Sequence, residues 1–323
     1  MININRILCP TDLSSESDEA LRYAVALTTA YDAKLFLLYG DDVGNTSAGT
    51  SIDDPKRALL TQSLSAHLGM NNFSDLDWEG VVVPNVGEMG KTIVQEASKR
   101  NVDLIVMRSR RRPHSAALLG STAETVCRTA PCPVLVTHPR EREWVGLTTG
   151  EIDLKKILVA YDFSADAEVA LKHGLLLAQE YQTELHLLHV LANADAAEPE
   201  LAWVEKTETV YTNAARKLQR AIPSEVYLWC NVLTAVRWGK AYQQVLSYAK
   251  EHQIDLICIG AHGSDFSVGA LFGSNVDRIL RQAPCPVLIA RPVKPALSAI
   301  PNELVVESAE DKELTHGPIN ALH

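Results

Sequence analysis

The strongest constraint on this chain is that it contains one sequence unit twice. Residues 6–14, RILCPTDLS, recur as residues 156–164, KILVAYDFS, and residues 130–135, APCPVL, recur as residues 283–288. The offset between matching positions grows only from 150 to 153 residues along the unit. Because self-similarity at a fixed period marks a repeated structural unit, the sequence predicts two copies of one domain.

The repeat also sets the expected limits of each part of the chain. We expect a first domain over residues 1–140, a polar linker over 141–153 and a second domain over 154–293. A length of 323 residues suits two domains of about 150 residues each. The remaining stretch, 294–323, mixes proline, acidic and small residues, which predicts a disordered or loosely attached tail.

Within each copy, short apolar runs alternate with amphipathic stretches. The apolar runs fall at about 6–10, 34–39, 78–83, 102–107 and 132–137, and again at about 155–161, 184–191, 226–234, 254–260 and 285–291. The amphipathic stretches of the second copy fall at about 165–181, 200–221, 240–252 and 274–282. Apolar strands that alternate with helices predict a parallel sheet covered on both faces. Right-handed crossovers then give a doubly wound α/β fold with five strands per copy.

The composition narrows the class of partner. A net charge of −10 argues against nucleic acid and membrane surfaces as partners, because both attract basic proteins. No apolar run approaches the roughly 20 residues that span a bilayer, and the N-terminus lacks the layout of a signal peptide. The six cysteines form no CxxC pair, which favours buried free thiols over disulfides or a metal site. We therefore expect a cytoplasmic protein.

A glycine-rich loop after the fourth apolar run of the second copy is the main candidate for ligand binding. It reads Gly260-Ala-His-Gly263, nine further residues, then Gly273-Ser274, and a helical pattern follows. Glycines let the backbone approach a ligand closely, and the N–H groups at a helix start form a site suited to phosphate. The predicted strand before the loop and the predicted helix after it supply the context that such a motif needs.

Two further features of the second copy converge on the same edge of the predicted sheet. Ligands of open parallel sheets bind beyond the carboxyl ends of the strands, where the strand order reverses. Asp162 ends the first strand and could hold a ribose or a base, and the backbone of Val190 at the end of the second strand could read an adenine edge. A structural role as the N-terminal carboxylate of a helix is compatible with ligand contact by Asp162. His189 is expected to be structural.

These motifs resemble those of the universal stress protein family, and the resemblance covers nearly all of residues 3–292. The family pattern includes Gly-x2-Gly-x9-Gly-Ser, the aspartate of VAYDFS and the closing APCPVL. The resemblance implies a flavodoxin-like, adenine-nucleotide alpha-hydrolase-like fold that binds ATP, with any Mg²⁺ carried by the nucleotide. The implied contact positions are Asp162, Val190, Gly260, Gly263, Gly273, Ser274, Asn275 and Val276. The resemblance also implies that the two copies pair through their last strands, so that one chain resembles a family dimer. We expect a homodimer built on this internal pseudo-dimer. We also expect a protein partner that the sequence does not identify.

The first copy departs from the family pattern. Arg108 and Arg111 stand where the second copy has its first two loop glycines, and the following segment is eight residues long rather than nine. The first copy retains an aspartate, Asp12, at the position of Asp162, but it has Gly40 where the second copy has Val190. Arginine does not easily adopt a positive φ, and its side chain would fill space that a phosphate or ribose needs. We expect the first site to bind ATP weakly or not at all.

Three functions remain open on the sequence. The leading interpretation is an ATP-binding regulatory protein of the stress response, in which nucleotide occupancy biases conformation or partner choice. The second is a slow ATPase or self-phosphorylating protein with Ser274, Ser264 or Ser267 as acceptor, although no acid/base pair or metal cluster supports it. The third is an interaction module without a nucleotide. His262 could act as a general acid/base, but a loop position without a specific role is the simpler interpretation.

Overall fold

Helices and strands alternate along the whole described chain. The computed structural model describes residues 4–15, 17–41, 54–67, 76–85, 87–109, 121–137, 142–146, 150–192, 200–262 and 274–291. The strands are β1 (Arg6–Thr11), β2 (Lys34–Asp41), β3 (Trp78–Pro84), β4 (Leu104–Arg108), β5 (Val134–Thr137), β6 (Lys156–Ala160), β7 (Glu184–Leu191), β8 (Val232–Trp238), β9 (Leu256–Gly260) and β10 (Val287–Ala290). The helices are α1 (Asp18–Tyr31), α2 (Asp54–His67), α3 (Met89–Lys99), α4 (Ser121–Thr129), α5 (Ala165–Tyr181), α6 (Glu200–Arg220), α7 (Ala241–Glu251) and α8 (Ser274–Gln282).

The ten strands of the described residues belong to one sheet, in the order β3-β2-β1-β4-β5-β10-β9-β6-β7-β8. Each half is therefore a five-stranded parallel sheet whose order reverses next to its first strand. The doubly wound α/β fold expected for each copy is confirmed. The two halves meet through β5 and β10, which pair antiparallel with Leu135 opposite Leu288.

The sheet is buried on both faces, as its continuous apolar strands predict. Ile7 and Ile157 face a core layer that also contains α1 and α5. Leu8 and Leu158 face the opposite layer, which contains α3, α4, α7 and α8. Both layers run across the seam between the halves, so the two domains share their hydrophobic core.

The third predicted strand of the second copy is displaced. The sequence predicts a strand over residues 226–234, but Ser224–Leu228 form a short 3₁₀ helix and the strand covers Val232–Trp238. The apolar run misleads because Leu228 is 87% exposed. The strand instead lies where it can pair along β7, from Val232 opposite Leu185 to Trp238 opposite Leu191.

Polar contacts tie the halves together beside the β5–β10 pair. Arg142 Nε donates to Asp255 Oδ1 at 2.5 Å, and its backbone N–H donates to the carbonyl of Pro284 at 2.7 Å. The hydroxyl of Tyr181 donates to that of Tyr31 at 3.3 Å. Arg291, which follows β10, donates to the carbonyl of Cys127 at the end of α4 at 2.7 Å.

The cysteines are all free and buried, as expected. Burial raises the pKa of the Cys9 and Cys258 thiols to about 12, which keeps them protonated and unreactive at neutral pH. In the part of the chain that the structure describes, no helix has the length and apolar character needed to cross a membrane. The expected tail, residues 294–323, lies outside the described residues.

Candidate functional site

The carboxyl ends of the second-half strands bring most of the predicted ligand residues to one edge. Asp162 follows the end of β6, Val190 lies near the end of β7 and Gly260 ends β9. Ser274 begins α8, as the sequence predicts. Gly263 and Gly273 lie outside the described residues. The reversal of strand order falls between β6 and β9, which is where open α/β sheets bind their ligands.

A tight turn fixes the aspartate at the end of the first strand. Asp162 Oδ1 accepts the backbone N–H of Ser164 at 3.0 Å, and the intervening Phe163 has a left-handed φ of 64°. The first half repeats this turn: Leu13, after Asp12, has a φ of 58°. A non-glycine residue with positive φ is strained, and such residues cluster at functional sites. The repeated turn therefore marks the same edge in both halves.

Gly260 is required by the packing of helix α5 against the end of β9. A Cβ at Gly260 would lie 2.7 Å from the carbonyl carbon of Asp166 and 2.9 Å from the backbone nitrogen of Ala167. Those atoms belong to the first turn of α5, which Ser164 caps by accepting the N–H of Ala167 at 3.2 Å. The expected reason for this glycine was close approach to a ligand, whereas the structure shows a close approach between two elements of the protein.

His262 is held by a carboxylate from the same helix turn. Asp166 Oδ2 accepts the backbone N–H of His262 at 2.9 Å and lies 2.9 Å from its ring Nδ1. The sequence analysis treated His262 as a position without a specific role and missed Asp166. An aspartate in the first turn of a helix was the available signal, but it is also an ordinary helix N-terminal residue.

The neighbouring strand end is stiffened by aromatic contacts. His189 Nδ1 lies 2.8 Å from the carbonyl oxygen of Tyr161, so Nδ1 donates this hydrogen bond. The ring of His189 also packs on Phe163 with centroids 4.6 Å apart. His189 thus has the structural role that was expected, and Val190 follows it in β7.

The predicted ligand residues in the first turn of α8 differ in their exposure to solvent. Ser274 and Asn275 are exposed, whereas Val276 is buried in the core. Only backbone atoms of Val276 can therefore face a ligand at this edge. The N–H groups of a helix's first turn have no partners within the helix and attract anions.

The first half has a cleft of about 340 Å³ at the equivalent edge. Its lining includes Asp12, Ser14, Gly40, Arg108 and Ser121, which come from the ends of three strands and the start of α4. This volume lies at the lower end of the range for small-molecule sites. The first half therefore keeps a cavity at the position where its loop glycines are replaced.

Arg108 lines this cleft but directs its charge toward helix α1. Its guanidinium lies 3.2 Å from the carboxylate of Glu19, and its side chain is only 9% exposed. Neither Arg108 nor its counterpart Gly260 has a positive φ, so the conformational argument against arginine here is wrong. Helix α1 also begins at Asp18, three residues later in the repeat than α5, which begins at Ala165.

A methionine changes the end of β2 in the first half. A Cβ at Gly40 would overlap with the Cε of Met89, which is the first residue of α3. In the second half the same two positions are Val190 and Ala241, the first residue of α7. A small and a large residue have thus exchanged places, so the side chain of Met89 lies beside the strand end. The sequence analysis missed Met89 because its significance depends on the approach of α3.

The described residues contain no group of three or more His, Cys, Asp or Glu side chains that could hold a metal ion. The site's polar groups are instead single carboxylates, hydroxyls and helix N–H groups, which suit an anionic ligand with hydroxyl groups.

Comparison with known proteins identifies the family. The profile of the universal stress protein family matches residues 3–138 and again residues 153–291. The chain belongs to the universal stress protein family. Its two matches make it a tandem, two-domain member.

Individual relatives agree with this assignment over the full tandem. A universal stress protein of Mycolicibacterium smegmatis is 26% identical over 300 residues, which cover 88% of this chain and 97% of the relative. The crystal structure of a putative universal stress protein from Pseudomonas aeruginosa shares the fold, with a TM-score of 0.63 at 20% identity over 90% of this chain and 94% of that chain. Another universal stress protein has been solved in complex with cAMP; it matches 42% of this chain and 98% of its own, at 24% identity and a TM-score of 0.33.

Proposed function

We propose that this chain is an ATP-binding regulatory protein of the stress response, with the nucleotide held by the second half. Nucleotide occupancy biases its conformation or its choice of partner, which requires that the two conformations differ in nucleotide affinity. The proposal combines family membership with the site at the carboxyl edge of β6, β7 and β9.

The observation that carries the proposal is the convergence of complementary groups at that edge. Asp162 offers a carboxylate acceptor suited to a ribose hydroxyl, and the first turn of α8 at Ser274 offers N–H donors suited to phosphate. The approach of α5 to Gly260 brings the Asp166–His262 pair to the start of the glycine loop. An adenine nucleotide has matching groups: an apolar ring, two ribose hydroxyls and an anionic phosphate chain.

The first half supports the assignment of the nucleotide to the second. Met89 takes space beside the end of β2, where the second half has Val190 and Ala241. Arg108 lines the first-half cleft and pairs with Glu19 of α1, at the position where the second half has Gly260. We therefore propose one tightly bound ATP per chain, although the first half retains a cleft.

The test is a calorimetric titration of the full chain with ATP and Mg²⁺, with Asp162→Asn and its repeat counterpart Asp12→Asn as a matched pair. Asparagine keeps an oxygen that can accept the N–H of Ser164, so the turn survives while the charge is lost. We expect about one ATP bound per chain. Asp162→Asn should bind ATP at least about tenfold more weakly, because a charge-assisted hydrogen bond is lost. Asp12→Asn should bind ATP as the parent does.

Three results would overturn the proposal. These are no binding at millimolar ATP, binding unaffected by Gly263→Arg, or equal effects of the two asparagine variants. Mass spectrometry of small molecules released from the purified protein adds an independent readout. If it identifies a different ligand, the site remains but its assignment to ATP fails.

The Asp166–His262 pair favours one alternative, a slow ATPase or self-phosphorylating protein. A histidine whose Nδ1 lies 2.9 Å from a carboxylate has the orientation of a general base. Release of ADP that is lost in His262→Gln would support this activity. If ADP release persists in that variant, or never exceeds the rate in buffer, the alternative is excluded.

A further inference from the structure

An apolar cavity of about 200 Å³ lies at the seam between the two halves. Its floor is the directly opposed pair Leu135 and Leu288 of β5 and β10, and its walls include Leu27 of α1 and Leu177 of α5. Because these four residues are two repeat pairs, the cavity contains the pseudo-twofold axis that relates the halves.

One side of this axis is filled by the linker. The ring of Trp144 packs edge-on against Tyr23 of α1 with centroids 4.8 Å apart, and its backbone N–H donates to the Tyr23 hydroxyl. Asp153, next to Leu154, donates its N–H to the carbonyl of Trp144. Two residues earlier, Arg142 contacts Asp255 and Pro284. The indole is 4% exposed, so the linker closes this half of the seam.

The other side of the axis is the open part of the cavity. Its wall contains His173, Ile4, Asp103 and Pro133. In the repeat these residues are the counterparts of Tyr23, Leu154, Asp255 and Pro286, the surroundings in which the linker lies. The cavity is therefore the symmetry-related copy of the site in which Trp144 lies.

The repeat also identifies the segment that would fill it. Trp144 comes seven residues after the end of β5 at Thr137, and Leu297 comes seven residues after the end of β10 at Ala290. We propose that the segment 292–300 of this chain docks in the seam and that Leu297 enters the cavity as Trp144 does on the other side. Burial of an apolar side chain in an apolar cavity is favourable, and the equal spacing allows it to reach.

Charge supports the same occupant. Asp255 receives Arg142 at Oδ1, whereas Asp103 accepts two backbone N–H groups at Oδ2 and no described group donates to its Oδ1. Pro295 occupies the repeat position of Arg142 and carries no charge, but Lys294 precedes it. The docked segment thus brings the cation of Lys294 toward Asp103, which pairs with no cation among the described residues.

Disulfide trapping tests the proposal in the full chain. The variant His173→Cys with Leu297→Cys copies the Trp144–Tyr23 contact, and His173→Cys with Ala309→Cys is the matched control farther along the tail. Under mild oxidation we expect the first pair to form an intrachain disulfide in the monomer, several-fold more than the control, with the linked peptides identified by mass spectrometry. An interchain product would assign the cavity to a second copy and overturn the proposal, as would equal yields from the two pairs.

Truncation gives a second readout that does not depend on cysteine chemistry. Removal of residues 293–323 should lower the melting temperature by about 3–6 °C, because the cavity loses its apolar occupant, whereas removal of residues 301–323 should leave it unchanged. The single variant Leu297→Asp should reproduce the effect of the longer truncation. If both truncated chains have the same melting temperature as the full chain, the tail does not fill the seam and the proposal is wrong.

Discussion

Gly260→Ala adds one methyl group against the backbone of a helix start, and its cost can be worked out from the structure. The new Cβ would lie 2.7 Å from the carbonyl carbon of Asp166 and 2.8 Å from its Cβ, while carbon atoms pack best at about 3.5–4.0 Å. The first turn of α5 would have to move by about 0.8 Å to reach that separation. Overpacking costs about 1–3 kcal/mol, and disruption of the Ser164 cap adds about 1 kcal/mol. We expect a total loss of about 2–4 kcal/mol.

The measurement is urea unfolding combined with amide hydrogen exchange at Ala167 and Glu168. The matched control is Gly174→Ala in the interior of α5, where the added Cβ also lies 2.7 Å from its nearest neighbour, but that neighbour is a methyl group of Val159. A single side-chain methyl shifts at lower cost than the backbone of a helix start, and alanine gains about 1 kcal/mol of helix propensity over glycine, so the control should lose clearly less stability than Gly260→Ala. If Gly260→Ala is as stable as the parent and Ala167 stays protected, the packing explanation for Gly260 is refuted.

Three further outcomes are expected. Burial lowers the pKa of His186, so the unfolded chain binds a proton more readily than the folded chain. The contribution of His186 to stability should be complete above about pH 6.5 and fall below it. His186→Gln should therefore weaken the dependence of the urea midpoint on pH over that range. Arg291→Ala removes the donor to the carbonyl of Cys127 and should cost about 1.5–3 kcal/mol in the same unfolding assay. Trp144→Ala empties a buried site against Tyr23 and should cost about 3–5 kcal/mol, and a cost under about 1 kcal/mol would contradict its role in the seam.

The repeat and the apolar runs were sufficient to predict the fold class, because the inner strands of the sheet are buried on both faces and read as continuous apolar stretches. The run that failed, around Val226 to Leu228, belongs to the core only in part: Val226 is buried in the 3₁₀ helix, whereas Leu228 faces solvent. The position of β8 is set by its pairing with β7, which is a long-range contact that periodicity cannot show.

The positions of the candidate site residues were predictable where they follow strand ends. Asp162 and Gly260 could be located from the sequence, although Gly260 owes its lack of a side chain to helix α5. Asp166 and Met89 could not, since each acts through the approach of a helix to the sheet edge. Their importance appears only once α5 and α3 are placed against β9 and β2.

The antiparallel pair β5–β10 limits how this protein can assemble further. Each fifth strand already has two hydrogen-bonded neighbours, so neither can accept a third from another chain. Among the described strands, the edges without a neighbour are those of β3 and β8, at opposite ends of the ten-stranded order. Any assembly of two chains must therefore use a surface other than the edges of β5 and β10, and the tandem arrangement has closed that interface to other partners.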